Sequence, residues 1–189
     1  MARLPYPDPE HLPPNVRQIL DARPPRNVFR MLSHAAAVMP GVMELTGAIL
    51  YKSALEPALR ELLILRVGHL CGSSYEVHQH RKIAAAVGLP QDKIDATARD
   101  ADGALYAPRE LLLLRLAEQV VRKVKADAAL FAAVSAEFGS AQTVELIVII
   151  GAYVMLAQVL ENTEVDIEVG GGPAQDDVSK LFSHQVRPA

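Results

Sequence analysis

The chain has 189 residues, of which 50% are hydrophobic and 22% charged, and its formal net charge is -3. These values predict one globular domain with a proper hydrophobic core, and they exclude a disordered chain. No basic block or stripe is present, which argues against a nucleic-acid-binding protein. The one cysteine, Cys71, excludes a disulfide within the chain, a dithiol redox cycle and a zinc site built on several thiolates.

The N-terminal segment, residues 1–14, is predicted to be an extended arm because its prolines block a regular helix. It has neither the apolar core of a signal peptide nor the arginine-rich pattern of a transit peptide. No run of apolar residues reaches the ~18 of a membrane span. We therefore expect a cytoplasmic protein with no membrane partner.

Short helices are predicted next. The first covers 15–22, with Pro14 in its first turn. Asn27 is a candidate N-cap for the second, which Met39-Pro40-Gly41 interrupts. A third helix is predicted over 42–52.

The stretch from Arg60 to Leu89 predicts two helices joined by a tight break. The first runs from about Glu56 to Leu70 and has apolar residues at helical spacing. Gly72 ends it, and Ser73 with Glu76 three residues later has the capping-box pattern that opens a second helix.

The ionisable residues of this hairpin are grouped. Glu76 and His80 are four residues apart and share one face of the second helix. Glu61 lies among leucines in the first helix. Two carboxylates and an imidazole are therefore expected to converge where the two helices pack.

The second half of the chain also reads as helical. Helices are predicted over 90–99, from Pro108, over 128–138 with Asp127 as cap, and over 140–162 after a break at Gly139-Ser140. The last of these is almost wholly apolar, which predicts burial on all sides and hence subunit contact in a protein of this size. Residues 15–168 are assigned to the helical domain, and 169–189 to a glycine-rich hinge and polar tail.

The central hairpin resembles the signature of the carboxymuconolactone decarboxylase family, which includes the alkyl hydroperoxidase D-like proteins. The family pattern has a Glu in one helix, Gly-Cys-x-x-Cys at the junction, a His four residues after the second Cys, and a later Gly. This sequence keeps the spacing of the pattern at four positions: Glu61, Gly72, His80 and Gly88. Ser73 and Glu76 occupy the two cysteine positions, so the chain resembles the branch that lacks the cysteine pair.

The resemblance implies an all-α, alkyl hydroperoxidase D-like bundle of about seven to eight helices around a central helix-turn-helix hairpin. It also implies a homo-oligomer, either a trimer or a hexamer built from dimers, with its site near a subunit interface. The implied activity is carboxymuconolactone decarboxylase-like. It would be cofactor-free acid–base catalysis on a small organic acid or lactone, with Glu61, Glu76 and His80 as catalytic residues.

Two other functions stay open. One is an alkyl hydroperoxide reductase or peroxidase-like antioxidant activity, which the missing cysteine pair disfavours. The other is a helical oligomer that binds a ligand and catalyses nothing.

Each candidate residue also has a purely structural interpretation. His80 has a side chain that can both accept and give a proton, but it is equally a core histidine satisfied by one carboxylate. Glu76 is equally part of a helix cap. Glu61 is equally the partner of a nearby arginine, with three candidates: Arg60, Arg66 and Arg81.

Four further residues are candidates for substrate binding. Ser73 and Tyr75 lie at the start of the second helix, where the alternative roles are capping and packing. Arg66 and Arg81 are candidates to hold a substrate carboxylate. No metal is expected, because His78 and His80 are two apart on a helix and point to different sides.

Overall fold

A computed structural model describes residues 1–101 and 103–168, and this part of the chain is helical with no strand. Two short 3-10 helices, Pro9–His11 and Ser33–Ala35, accompany eight α-helices. The α-helices are α1 Pro14–Asp21, α2 Asn27–Leu32, α3 Met39–Lys52, α4 Pro57–Leu70, α5 Ser74–Ala86, α6 Gln91–Ala96, α7 Pro108–Lys123 and α8 Ala128–Thr163. The all-α prediction is confirmed. The hinge and tail predicted at 169–189 lie outside the described residues.

The described chain divides into two compact units, Met1–Lys52 with 159–168, and Ser53–Gln158. In the first unit the N-terminal arm is fastened to the last described residues. The Arg3 backbone N–H donates to the Thr163 carbonyl at 2.8 Å, and the Ala2 N–H donates to Asp166 Oδ2 at 3.0 Å. The arm predicted over 1–14 thus contacts its own chain, and a contact with a neighbouring subunit stays a prediction.

The second unit is built around α4, which contacts α5, α6 and α7. Every residue of α4 from Leu59 to Gly68 is buried. The sequence predicted one inward face, but the helix is surrounded, because Ile64 and Leu65 on its other faces are also fully buried. Its neighbours include a cluster of buried residues from several elements: Ala84, Leu89, Ile94, Ala96, Tyr106 and Leu114.

Two helix starts differ from the sequence prediction. Met39-Pro40-Gly41 does not interrupt a helix but forms the first turn of α3, where a proline is tolerated because its missing N–H would have no partner in the helix. Asn27 is the first residue of α2 rather than its N-cap, and its side-chain amide donates to the Asp166 carbonyl at 2.9 Å.

Helix α8 has the predicted break, since Gly139 has the non-helical angles φ 73° and ψ 166°. Asp127 caps its start through Oδ1, which accepts from the Leu130 N–H at 2.8 Å. Within the single chain α8 is not buried on all sides, and the predicted subunit contact stays a prediction. Val144, Ile147 and Val148 are 62%, 37% and 43% exposed, and together they form what we call the α8 apolar face.

By length and composition α8 could cross a membrane, with a mean hydropathy of 2.1 over its most apolar window. Of that window, 50% is buried inside the protein. A core helix has the same length and composition, so this feature alone does not indicate a membrane protein.

Candidate functional site

The junction between α4 and α5 brings the two helices into close contact. Gly72 turns the chain with a φ of 69°, a left-handed conformation that glycine adopts without strain. The Ser73 N–H then donates to the Gly68 carbonyl at 2.8 Å. A Cβ placed on Gly68 would lie 3.2 Å from Val77 Cγ2 and 3.5 Å from Glu76 Cβ. This close packing fixes the first turns of α5 against the end of α4.

Glu61 of α4 and His80 of α5 form the centre of the site. Glu61 Oε2 lies 2.7 Å from His80 Nδ1. The Glu61 side chain is 0% exposed and the His80 side chain 11% exposed. Of the two side chains, the imidazole is therefore the one that solvent or a small molecule can reach. A carboxylate bound to one ring nitrogen fixes which nitrogen remains for proton transfer.

The other oxygen of Glu61 faces a buried cation. Arg60 Nε lies 3.4 Å from Glu61 Oε1, and both side chains are 0% exposed. Of the three arginines that the sequence offered as partners of Glu61, the structure selects Arg60. A buried carboxylate is stable only when its charge is compensated, and here a guanidinium and an imidazole flank it.

Glu76 lies one turn before His80 on α5 and is 4% exposed. It is therefore a second buried carboxyl group on the helix that carries His80. Within 1–101 and 103–168, no three His, Cys, Asp or Glu side chains cluster closely enough to hold a metal ion. Glu61, Glu76 and His80 thus do not form a three-ligand metal centre.

Ser73 and Tyr75, predicted to bind substrate, are 0% and 3% exposed. Ser73 is at the N-cap position of α5, as the sequence predicted, but its hydroxyl makes no capping hydrogen bond. The predicted capping box of Ser73 and Glu76 was therefore wrong for the hydrogen bond that the Ser73 hydroxyl should accept. Substrate binding by Ser73 and Tyr75 stays a prediction.

Arg66 has contacts that give it a structural role. Its guanidinium donates to the Thr97 carbonyl at 3.0 Å, to Asp100 Oδ1 at 2.9 Å and to Glu118 Oε1 at 2.6 Å. The side chain is 3% exposed and ties α4 to the end of α6 and to α7. Its substrate-binding role remains a prediction that these contacts do not favour.

Arg81 is paired with Asp95 on the surface. The hydrogen bond from Arg81, with a second from Gln91, holds the pKa of Asp95 below its usual value. Neighbouring residues of a helix lie about 100° apart around its axis, so Arg81 and His80 do not share a face. A role for Arg81 toward substrate also stays a prediction.

Tyr153 of α8 is a residue near the site that sequence reasoning missed. Its ring centroid is 5.1 Å from that of His80, and the two planes meet at 83°. Tyr153 is 2% exposed and lies in a long apolar stretch, where a tyrosine gives no sign of contact with a distant histidine. The sequence feature that could have pointed to Tyr153 is its polar hydroxyl on an otherwise apolar helix face.

His69, near the end of α4, has a pKa that differs clearly from that of a free histidine. Partial burial lowers its pKa below 6.5, and the positive charges of Arg66 and Arg81 lower it further. His69 is therefore predominantly neutral at neutral pH.

A large open groove of about 750 Å³ lies elsewhere in the second unit. It is lined by residues of α7, of the loop after it and of α8, including Leu116, Val120, Lys123, Val124, Phe131 and Ile147. None of the predicted site residues lines this groove.

Comparison with known proteins gives one family match. Residues 36–119 match the model of the carboxymuconolactone decarboxylase family. This range includes α4 and α5 with Glu61, Glu76 and His80, but not Tyr153. No curated protein matches the chain significantly.

Solved structures share the fold. A peroxidase-related protein from Ralstonia eutropha JMP134, described as an alkylhydroperoxidase AhpD core, has a TM-score of 0.75 and 21% identity, covering 88% of this chain and 92% of its own. An Agrobacterium tumefaciens protein of unknown function, which its description relates to the antioxidant defence protein AhpD, has a TM-score of 0.68 and 22% identity, covering 74% and 96%. A peroxidase-related protein from Silicibacter sp. TM1040 has a TM-score of 0.74 and 14% identity, covering 87% and 91%. At these identities the likeness shows the fold, and it confirms the predicted class.

Proposed function

We propose that the chain is an enzyme that moves a proton through His80, because residues 36–119 match the carboxymuconolactone decarboxylase family and the chain has the alkyl hydroperoxidase D-like fold. The substrate would be a small organic acid or lactone, and the reaction would need no cofactor. The observation that carries the proposal is the 2.7 Å contact between His80 Nδ1 and Glu61 Oε2 in a buried setting.

The contact gives the two nitrogens of His80 different tasks. A carboxylate can only accept a hydrogen bond, so Nδ1 carries the hydrogen that Glu61 holds. The second ring nitrogen, Nε2, is then the one that exchanges a proton with substrate. Arg60, on the other oxygen of Glu61, compensates the carboxylate charge.

The proposed reaction is a decarboxylation. The bond between the substrate carbon and its carboxylate breaks, carbon dioxide leaves, and the electron pair passes into a neighbouring unsaturated carbonyl as an enolate. Nε2 of His80 takes a proton from solvent and delivers it to the carbon, which returns the imidazole to the form with hydrogen on Nδ1 alone. Glu76, buried one turn before His80, would adjust the charge of the site.

The direct experiment is turnover of 4-carboxymuconolactone by the purified protein, followed by loss of lactone absorbance and release of carbon dioxide. His80→Ala is expected to lower kcat by about 10²- to 10⁴-fold, the usual contribution of a general acid or base. His69→Gln is the matched control, since it changes a histidine of the same unit and should leave kcat unchanged. A His80→Ala variant as fast as wild type would rule out the assignment.

A peroxidase-like activity is the second candidate, because two of the similar solved structures are described as peroxidase-related. In this chain the thiol is that of Cys71, which is partly buried. Consumption of an organic hydroperoxide that disappears in Cys71→Ser would favour this candidate over proton transfer. Consumption that is absent, or equal in the two proteins, would remove the thiol route.

We also propose that the chain assembles with copies of itself through the α8 apolar face. Three branched aliphatic side chains on one face expose apolar surface that burial against a second copy would remove from water. Val144→Asp is expected to shift the mass measured by light scattering toward the monomer. Val38→Asp is the control, because Val38 is also 62% exposed. An unchanged mass in Val144→Asp, or a monomeric wild type, would contradict this proposal.

Lack of turnover with lactones, small acids and hydroperoxides would leave a ligand-binding oligomer as the function. In that case the pair of Glu61 and His80 has only a structural role.

A further inference from the structure

The His80 imidazole is held at two places by side chains from different helices. Glu61 of α4 contacts Nδ1, and Tyr153 of α8 stands almost perpendicular to the ring at a centroid distance of 5.1 Å. Both contacts are buried, since Glu61 is 0% and Tyr153 2% exposed.

The contact with Glu61 alone does not fix the plane of the imidazole. The imidazole turns about its Cβ–Cγ bond, and one hydrogen bond at Nδ1 restrains this rotation without fixing its angle. Each change of that angle also moves Nε2. A buried aromatic ring at right angles to the imidazole blocks this motion, because perpendicular aromatic contacts are favourable and the tightly packed interior leaves no room to rotate.

We infer that Tyr153 is a positioning residue that fixes the plane of His80 and so directs Nε2 at the substrate carbon. This inference rests on the proposed function, and it assigns to α8 a part in a site whose other residues come from α4 and α5. Tyr153 acts through its ring on His80 and takes no proton itself.

Two substitutions separate the ring from the hydroxyl. Tyr153→Phe keeps the perpendicular ring, so kcat should stay within about threefold of wild type. Tyr153→Leu removes the ring. It should then lower kcat by about 10- to 100-fold with little change in KM, since misplacing a reacting group by an ångström costs up to this factor.

A matched control distinguishes a general loss of core packing from a loss of His80 positioning. Tyr106 is also a buried tyrosine of the second unit, 4% exposed, and its hydroxyl donates to the Lys93 carbonyl at 3.0 Å. Tyr106→Leu removes a buried ring of the same size, and its kcat should stay close to wild type in the fraction that is folded.

The decisive measurement does not depend on turnover. Nitrogen NMR of the His80 imidazole reports which nitrogen carries hydrogen and how much the ring exchanges between environments. Wild type and Tyr153→Phe should show one tautomer with hydrogen on Nδ1, as should Tyr106→Leu. Tyr153→Leu should show mixed tautomers or broadened signals.

The outcomes are distinct. A single tautomer with unbroadened imidazole signals in Tyr153→Leu would overturn the inference, whatever the activity. Mixed tautomers or broadened signals in Tyr153→Leu, in a protein that turns over none of the substrates, would support positioning by Tyr153 and count against the proposed function alone. Mixed tautomers or broadened signals in Tyr106→Leu as well would also overturn the inference, because any lost ring would then disturb His80.

Discussion

Helices α4 and α8 distribute charge and burial in opposite ways. Helix α4 carries Arg60, Glu61 and Arg66, and yet it is buried from Leu59 to Gly68. Helix α8 has hardly a charge in its apolar half, and yet it exposes Val144, Ile147 and Val148. A simple hydrophobic ranking would have placed the two helices the other way round.

The difference follows from how each helix meets its neighbours. The charges of α4 are compensated inside the protein, where Arg66 meets Asp100 and Glu118, and Glu61 meets Arg60 and His80. Burying a charge is tolerated only with such partners. The exposed face of α8 has no charge to desolvate, so a second surface can cover it at little electrostatic cost.

The largest effect we expect tests the charges of α4. Arg60→Ala removes one partner of a fully buried pair and should lower the free energy of unfolding by about 3–5 kcal/mol. Urea denaturation followed by circular dichroism measures it. Arg81→Ala breaks the surface pair with Asp95 and should cost about 1 kcal/mol or less. Similar losses in the two variants would mean that burial does not distinguish these pairs.

The next test compares apolar residues of the two helices. Leu63→Ala in α4 removes a side chain that is 0% exposed and should cost about 2–5 kcal/mol, because it leaves a cavity. Val148→Ala on the α8 apolar face should change the stability of a dilute sample by about 0.5 kcal/mol or less. At high protein concentration its cost should grow if copies associate there. A concentration-independent loss as large as that of Leu63→Ala would show that Val148 is packed within one chain.

One glycine of each helix, Gly68 in α4 and Gly151 in α8, can be replaced by alanine, and the changes in stability should have opposite sign. Gly68→Ala would push a Cβ to 3.2 Å from Val77 Cγ2, so we expect a loss of about 1–2 kcal/mol despite the better helix propensity of alanine. Gly151→Ala meets nothing within 4 Å and should raise the stability of the dilute chain by about 0.5–1 kcal/mol. Thermal or urea unfolding compares them. A stabilising Gly68→Ala would mean that α4 and α5 are less closely packed than described.

The smallest effect concerns pH at the end of α4. The pKa of His69 lies below 6.5 in the folded protein, so below that pH the unfolded chain binds more protons than the native one. Stability contributed by neutral His69 is therefore present above about pH 6.5 and is lost as the pH falls through the unfolded pKa toward the folded one. Melting temperatures between about pH 7.5 and 5.5 should fall more steeply in wild type than in His69→Gln. If the melting temperatures of the two proteins fell equally with pH, the lowered pKa of His69 would be contradicted.

The candidate site was predicted unevenly. Glu76 and His80 could be placed on one helix face because four residues make one helical turn, and the register of the family pattern identified Glu61. The sequence suggested a contact between Glu61 and His80 but could not establish it. Residue spacing along the chain does not determine the angle at which two helices pack. Three arginines were possible partners of Glu61, and in the folded protein the partner is Arg60. Spacing did not favour Arg60, because the side chains of adjacent helix residues usually point to different sides of the helix.

By itself the sequence determined the helices, the glycine break between α4 and α5, the kink in α8 at Gly139 and the family register, because these depend on local backbone preferences and on spacing. Only the tertiary structure decided which charges are compensated and which apolar face is left uncovered. It also brought Tyr153 against His80. These contacts join residues far apart in the chain, and their energies depend on what surrounds each side chain rather than on its neighbours in sequence.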